Sequence, residues 1–255
     1  MLLINKYFTA VPFYRQDALQ HFLGVPLPAS TQWDLIKGTV PVMKPVYEVL
    51  LTLAANGMGF YLDDTHAKIL AQMQANQKAT TKKEKKGCHT TGILSVSETH
   101  QIYLFITDTL AAGKSFDKLW QYRDPDLPMP FLMCDGLAAS IPQEVEKSLY
   151  LLCHCLSHAR RKFYDLQGCY EELAETVLNL IGQVYSNDKK IKEENMTAQE
   201  RLQYHKTHSA PVMLQLKEYL DTIVSITWLS RMAVLEKPSS IFSNAGKNLF
   251  DLLNT

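Results

Sequence analysis

The chain contains no apolar run approaching the roughly 20 residues that a membrane helix needs; its apolar stretches, such as SLYLLC, are broken well short of that. This predicts a soluble protein. It also lacks a charge excess, since Lys plus Arg equals Asp plus Glu at 26 each. That balance excludes the bulk positive field of a polycation binder, so any nucleic-acid contact has to come from local patches. The five cysteines, Cys88, Cys134, Cys153, Cys155 and Cys169, form an odd set without regular spacing. No charged segment followed by an apolar one and a cleavage site opens the chain, and the two observations together predict a reducing, cytoplasmic setting. A glycine-rich phosphate loop, a GxSxG elbow and an HExxH helix are all missing, which removes the commonest nucleotide-binding, hydrolase and zinc-protease signals. There is no internal repeat.

What is present is 255 residues with 46% hydrophobic content, enough to bury a sizeable core. Up to about Asn56 the pattern is helical: YRQDALQHFL, a segment STQWDLIKG with a Ser/Thr cap candidate, and a longer amphipathic run PVMKPVYEVLLTLAAN that Asn56 and Gly57 stop. Beta-favouring segments follow. GFYLD and HAKIL flank a pair of acids, QMQANQKATTKKEKKG reads as a polar, lysine-rich loop, and TTGILSVSETHQIYLFITD reads as a hairpin turning near SETH. MPFLMCD and SLYLLCHC supply two more short strands, about five in all. From Ser157 the chain is helical: ARRKFYDLQGCYEELAETVLNLIGQVY reads as one long run. A second helical pair follows, with Thr197 and Glu200 spaced as a capping box and Pro211 in a helical first turn. The fold class this predicts is α/β or α+β, a mixed sheet of about five strands between helical flanks. Three regions are expected: a helical flank over 1–57, a strand-rich core over 58–165 and a helical arm over 166–255.

Two aspartates close short apolar runs. Asp63 ends GMGFYLD, and Asp135 ends MPFLMCD ahead of Gly136. A carboxylate at a strand terminus is held at the sheet edge, where divalent metal can be shared between strands. Adjacent strand residues point to opposite faces, so of Asp63 and Asp64 only one can face such a site, and Asp63 is the candidate. The competing reading makes DDT a strand-end turn and Asp135-Gly136 an ordinary Asp-Gly turn. In CHCLSHARRKF, His158, Arg161 and Lys162 share a helical face, and with Arg160 they form a basic helix start able to clamp phosphate, or else a solvated face. Cys153, His154, Cys155 and His158 do not form the two ligand pairs of a zinc site. Lys78, Lys82, Lys83, Lys85 and Lys86 read as a solvated loop. For Cys88 and His89, a thiol nucleophile rests on residue type alone.

Four segments, taken together, resemble the insertion-sequence-66 family of bacterial transposases along nearly the whole chain. KYFTAVPFYRQDALQHFLGVPLPASTQWDLI is similar to the family's KY, PLYRQ and G-V-x-L stretch. LDDTHAKIL stands where the family has a D-E-T strand end, with Asp64 in the place of the glutamate. FLMCDGLAAS resembles its D-G-Y segment with Leu137 for tyrosine, and CLSHARRKF its C-W-A-H-A-R-R-K-F segment with Leu156 for tryptophan.

The resemblance implies a ribonuclease-H-like core, with Asp63 and Asp135 as the first two catalytic, metal-holding acids. Two ions, Mg2+ or Mn2+, would serve DNA strand cleavage and transfer. His158, Arg160, Arg161 and Lys162 would contact DNA, and intact relatives would act as homo-oligomers on transposon ends and target. SNAGKNLFDLLNT resembles the helix before the family's D-N-N-x-x-E-R segment, which carries the third acid, and the family's amino-terminal zinc-binding DNA reader precedes the segment where this chain begins. The expectation is therefore a transposase core truncated at both ends and inactive alone. The alternative is a non-catalytic DNA-binding or multimer-interfering remnant.

Overall fold

The computed structural model of the protein describes residues 1–78 and 87–233. Lys82, Lys83, Lys85 and Lys86 lie outside the described residues, as does SNAGKNLFDLLNT. The described chain divides into two compact units, one formed by Met1–Asn56 with Gln121–Leu127 and the other by Gly57–Trp120 with the residues from Pro128 onward.

In the first unit a π-helical turn, Ile4–Phe8, precedes α1 (Phe13–Phe22) and α2 (Ala29–Ala55). The two helical segments expected between Ser30 and Asn56 are one 27-residue helix running through Pro41 and Pro45. Each proline removes one backbone donor and bends a helix, but the turns on either side keep it continuous. The expected Ser/Thr cap is not used, because the N-cap position is Pro28. Asn56 ends the helix as expected and also accepts the Asp124 N–H at 3.0 Å, while Arg123 donates to the Ala55 carbonyl at 2.7 Å.

The second unit is built on five strands: β1 (Gly59–His66), β2 (His89–Val96), β3 (Gln101–Asp108), β4 (Phe131–Cys134) and β5 (Leu151–His154). They lie in the order β3-β2-β1-β4-β5, with β2 antiparallel to β1 and β3, and with β4 parallel to both β1 and β5. This is the ribonuclease-H-like mixed sheet. The hairpin turns at Ser97–His100, where the Ser97 N–H donates to the His100 carbonyl at 3.0 Å.

HAKIL does not continue as strand: β1 stops at His66, and α3 (Leu70–Lys78) takes up residues expected to be loop. A further helix, α4 (Ala112–Trp120), was not expected at all. Its apolar and small residues Ala112, Ser115, Phe116 and Leu119 recur at i, i+3, i+4 and i+7, one face of a helix, and all four are buried. They cover the face of the sheet carrying Phe60, Leu62, Ile93, Leu104 and Leu132, every one of them buried. Phe60 meets Phe116 edge to face at 5.0 Å and 76°, a favoured arrangement for two aromatic quadrupoles. Burying side chains of this size is worth about 1.5–3 kcal/mol each, and this layer anchors the sheet.

After β5 the expected single long helix is two, α5 (Leu156–Asp165) and α6 (Glu171–Glu193), separated at the Gln167–Tyr170 turn. Then come α7 (Ala198–Tyr204), a π-helical stretch His205–Ser209, and α8 (Ala210–Ala233). Phe163 of α5, Val177, Leu180 and Ile181 of α6, and Leu216 and Leu220 of α8 form the core of this helical arm. The Thr197–Glu200 capping box is present, and Pro211 stands in the first turn of α8. No helix among the described residues is long and apolar enough to cross a membrane.

Candidate functional site

Alternation along β1 separates its two acids. Phe60 and Leu62 point into the α4 layer, so Asp64 points the same way and Tyr61 and Asp63 point to the open face. Asp64 is consumed structurally. One of its oxygens accepts the Thr91 hydroxyl at 2.6 Å and the other accepts the Ala112 N–H at 2.8 Å. It thereby puts a carboxylate on the N-terminus of α4, where unpaired amides and the helix dipole favour negative charge. Asp63 is left with a side chain 67% exposed, its oxygen 3.7 Å from His158 Nε2.

Asp135 follows β4 directly. Tyr61 is registered with Met133 across the parallel pair, so Asp135, two residues beyond Met133, has the parity of the open face. It also makes the turn that Asp-Gly predicts, its oxygen accepting the Leu137 N–H at 3.3 Å. At this residue, then, the turn reading and the open-face reading are compatible.

The next element supplies the histidine. β5 runs into α5 at Cys155, whose N–H donates to the Cys134 carbonyl at 2.8 Å. His158 sits in the first turn of α5, against Asp63, with Nε2 toward the carboxylate and Nδ1 buried without a hydrogen-bond partner. Arg160 and Arg161 are exposed and Lys162 is half-buried. Among the described residues none of these three enters an ion pair. Beside Asp63 the open face forms a groove of about 430 Å³ lined by Tyr61, Leu94, Tyr103, Phe105, Met133 and His158, among others.

The cysteines behind this edge are not nucleophiles in waiting. Burial, then the charge of Asp135 and the neighbouring Cys155 and Cys153, pushes the Cys134 thiol up to about 11, so it stays protonated and unreactive at neutral pH. Burial raises Cys153 as well. Cys88 is buried and donates weakly to the Asp108 carbonyl at 3.4 Å, while the His89 ring packs on His66 with centroids 4.6 Å apart.

Among the described residues no group of three His, Cys, Asp or Glu side chains gathers as a metal site. The donors on the open face are nonetheless of one kind. The carboxylates of Asp63 and Asp135 are hard oxygen ligands, and Mg2+ is commonly held by one or two carboxylates with water and substrate phosphate completing its shell. The residues fit that ion class.

Sequence reasoning missed Asp117 and Gly113 of α4, because α4 itself was missed. Asp117 is 4% exposed. Its carboxylate accepts three backbone N–H groups, from Gln143 at 3.1 Å, Glu144 at 3.2 Å and Val145 at 3.3 Å. The i, i+3, i+4 spacing in AAGKSFDKLW was the available signal.

A family model described as Transposase IS66 family matches residues 1–250. A curated protein of Sinorhizobium fredii (strain NBRC 101917 / NGR234), named uncharacterized protein y4jD, is 39% identical over 239 residues, covering 86% of this chain. The chain spans 42% of that relative's length. No solved structure matches it.

Proposed function

The chain belongs to the IS66 family of transposases, and from that premise we propose that Asp63 and Asp135 are the two strand-end carboxylates of its DNA-cleaving site. The observation that carries this reading is the division of labour along β1. Asp64 is tied to Thr91 and Ala112 on the covered face, while Asp63 is two-thirds exposed on the open one. Asp135, two residues beyond the Met133 that registers with Tyr61 in the adjacent parallel strand, has the parity of that same open face. Members of the family work with divalent metal ions, and Asp63 and Asp135 would hold Mg2+ or Mn2+ here. Such an ion, when bound, supplies positive charge at phosphorus and acidifies attacking water.

The chain's own groups do the positioning. Asp63 and Asp135, at the ends of β1 and β4, would hold the metal ion at the open face, where it would supply positive charge to a phosphodiester. His158, with Nε2 directed at Asp63, offers an N–H to that carboxylate or to a phosphate oxygen beside it. Arg160, Arg161 and Lys162 continue along α5 as exposed or half-exposed cations without ion-pair partners among the described residues, and they contact the DNA backbone.

The test is cleavage of DNA carrying the element's ends by the purified protein with Mg2+ or Mn2+. Asp63→Asn and Asp135→Asn each abolish it without unfolding the protein. Nicking that survives Asp135→Ala overturns the assignment.

A second reading, a DNA-binding remnant without catalysis, is favoured by one observation: Arg160 and Arg161 stand exposed at the start of α5 and enter no ion pair among the described residues. It predicts DNA binding that is indifferent to Asp63→Ala and weakened when Arg160 and Arg161 are replaced.

A further inference from the structure

We infer that Asp117 is a positioning residue for Asp135, acting through the backbone of the β4–β5 connection. The inference rests on the reading of Asp63 and Asp135 as the metal-holding pair.

The connection leaves β4 at Asp135, turns at Leu137, passes through a short 3-10 turn, Ala138–Ser140, and reaches Val145 before returning to β5. A surface segment of this length carrying a catalytic side chain is free to drift unless something holds its backbone. Two contacts with α4 hold it. At Gly113 the helix comes so close that an added Cβ would stand 2.2 Å from the Ile141 carbonyl oxygen and 3.0 Å from that of Ala139. One helical turn later the buried Asp117 carboxylate collects the N–H groups of Gln143, Glu144 and Val145. Charge-assisted bonds of this kind are about twice as strong as neutral ones.

The N-terminus of α4, beside Gly113, is held by the strand that carries Asp63. Asp64, the next residue along β1, accepts the Ala112 N–H, and its partner Thr91 also reaches Ser115 at 3.3 Å. The path from one acid to the other therefore runs Asp63, Asp64, the N-terminus of α4, Asp117, residues 143–145, and back along the connection to Asp135. Only one strand pairing separates β1 from β4, but that pairing ends at Tyr61 and Met133. Beyond it β1 and β4 are no longer hydrogen-bonded to each other, although each stays paired on its far side, β1 with β2 at Asp63 and β4 with β5 at Cys134, and α4 supplies a further link between them. The exposed Gln143 side chain adds a second tie within the connection, donating to the Ala138 carbonyl at 3.3 Å and the Ile141 carbonyl at 3.1 Å.

The test is Mn2+ binding by the whole chain, followed by electron paramagnetic resonance, with amide hydrogen exchange read at residues 143–145. In Asp117→Asn the exchange accelerates and Mn2+ binds about tenfold more weakly, the lower end of what outer-shell partners of metal ligands contribute. In an Asp135→Asn background the same substitution costs no further affinity, which separates positioning from a general loss of structure. Faster exchange with unchanged Mn2+ affinity overturns the inference, as does an equal loss in both backgrounds. Should Asp117→Asn fail to fold, Gln143→Ala decides. It removes only an exposed side chain, and an affinity loss on the order of threefold is expected; unchanged affinity with faster exchange overturns the inference. Failure of the underlying reading looks different. Asp63→Asn and Asp135→Asn would then bind Mn2+ as tightly as the unaltered chain, and this inference would fall with it.

Discussion

Asp63 and Asp64 show how little residue type decides by itself. They are the same side chain at successive positions, yet one is exposed and the other joins two buried donors, because a strand alternates its faces. Their substitution should separate accordingly. Asp64→Ala leaves the buried Thr91 hydroxyl with only its longer contact to Ser115 and strips the N-terminus of α4, at a cost of about 1–2 kcal/mol in urea unfolding, as expected for a lost cap and a weakened buried hydrogen bond. Asp63→Ala removes an exposed carboxylate and should stay within about 0.5 kcal/mol of the unaltered protein. The opposite order would mean that the two faces of β1 have been assigned the wrong way round.

At the scale of elements, α4 is the piece on which the sheet depends, and three aspartates outside the site fasten it. Asp64 and Asp117 act from within the fold, and Asp108 acts at the surface, where the last residue of β3 accepts Lys118 Nζ at 2.9 Å. The Lys118 hydrogen bond, seconded by the Thr109 N–H, holds the Asp108 carboxyl below its ordinary value. A group depressed in the folded state stabilises above its unfolded value, about 3.9 for aspartate, and that contribution disappears as pH falls through the lower folded value. Lys118→Met should therefore narrow the difference in stability between neutral pH and pH of about 3, measured as urea midpoints. The effect is small because the pair is exposed and screened. An unchanged pH profile would show that Lys118 does not hold Asp108 in solution.

For the whole molecule, zero net charge means that attraction to DNA cannot come from a general field. It has to be local, and the start of α5 is where exposed cations adjoin the open face. Replacing Arg160 and Arg161 by Ala should weaken DNA binding with little regard to sequence, and the log-log salt slope should fall by about one per lost phosphate contact. A slope that does not change would move the DNA path away from α5.

The sequence by itself determined the class of fold and the candidate pair of acids. Alternating or short continuous apolar runs bounded by turn residues read as strands, so the hairpin and the two short strands ending at Cys134 and His154 were legible. Alternation said only that Asp63 and Asp64 face opposite ways; that Asp64 is the one on the α4 side was decided by the fold. Local chemistry likewise announced the Thr197–Glu200 capping box. Tertiary structure decided the rest, wherever a residue's role depends on a partner distant in sequence. Asp117 reads as one more helical acid until the fold brings three amides 26 to 28 residues away onto its oxygens. Gly113 reads as a weak point in a short helix until Ile141 is seen to need its missing side chain. The polar run after Ile69 forms α3 with no described side chain buried, because its Leu, Gln, Met and Ala residues are good helix formers whatever their polarity, while the run expected to stay helical past Asp165 breaks at a turn containing Gly168, a poor helix former. Which strand ends lie side by side, and so which two carboxylates can meet, is a property of the order β3-β2-β1-β4-β5, and no local pattern encodes that order.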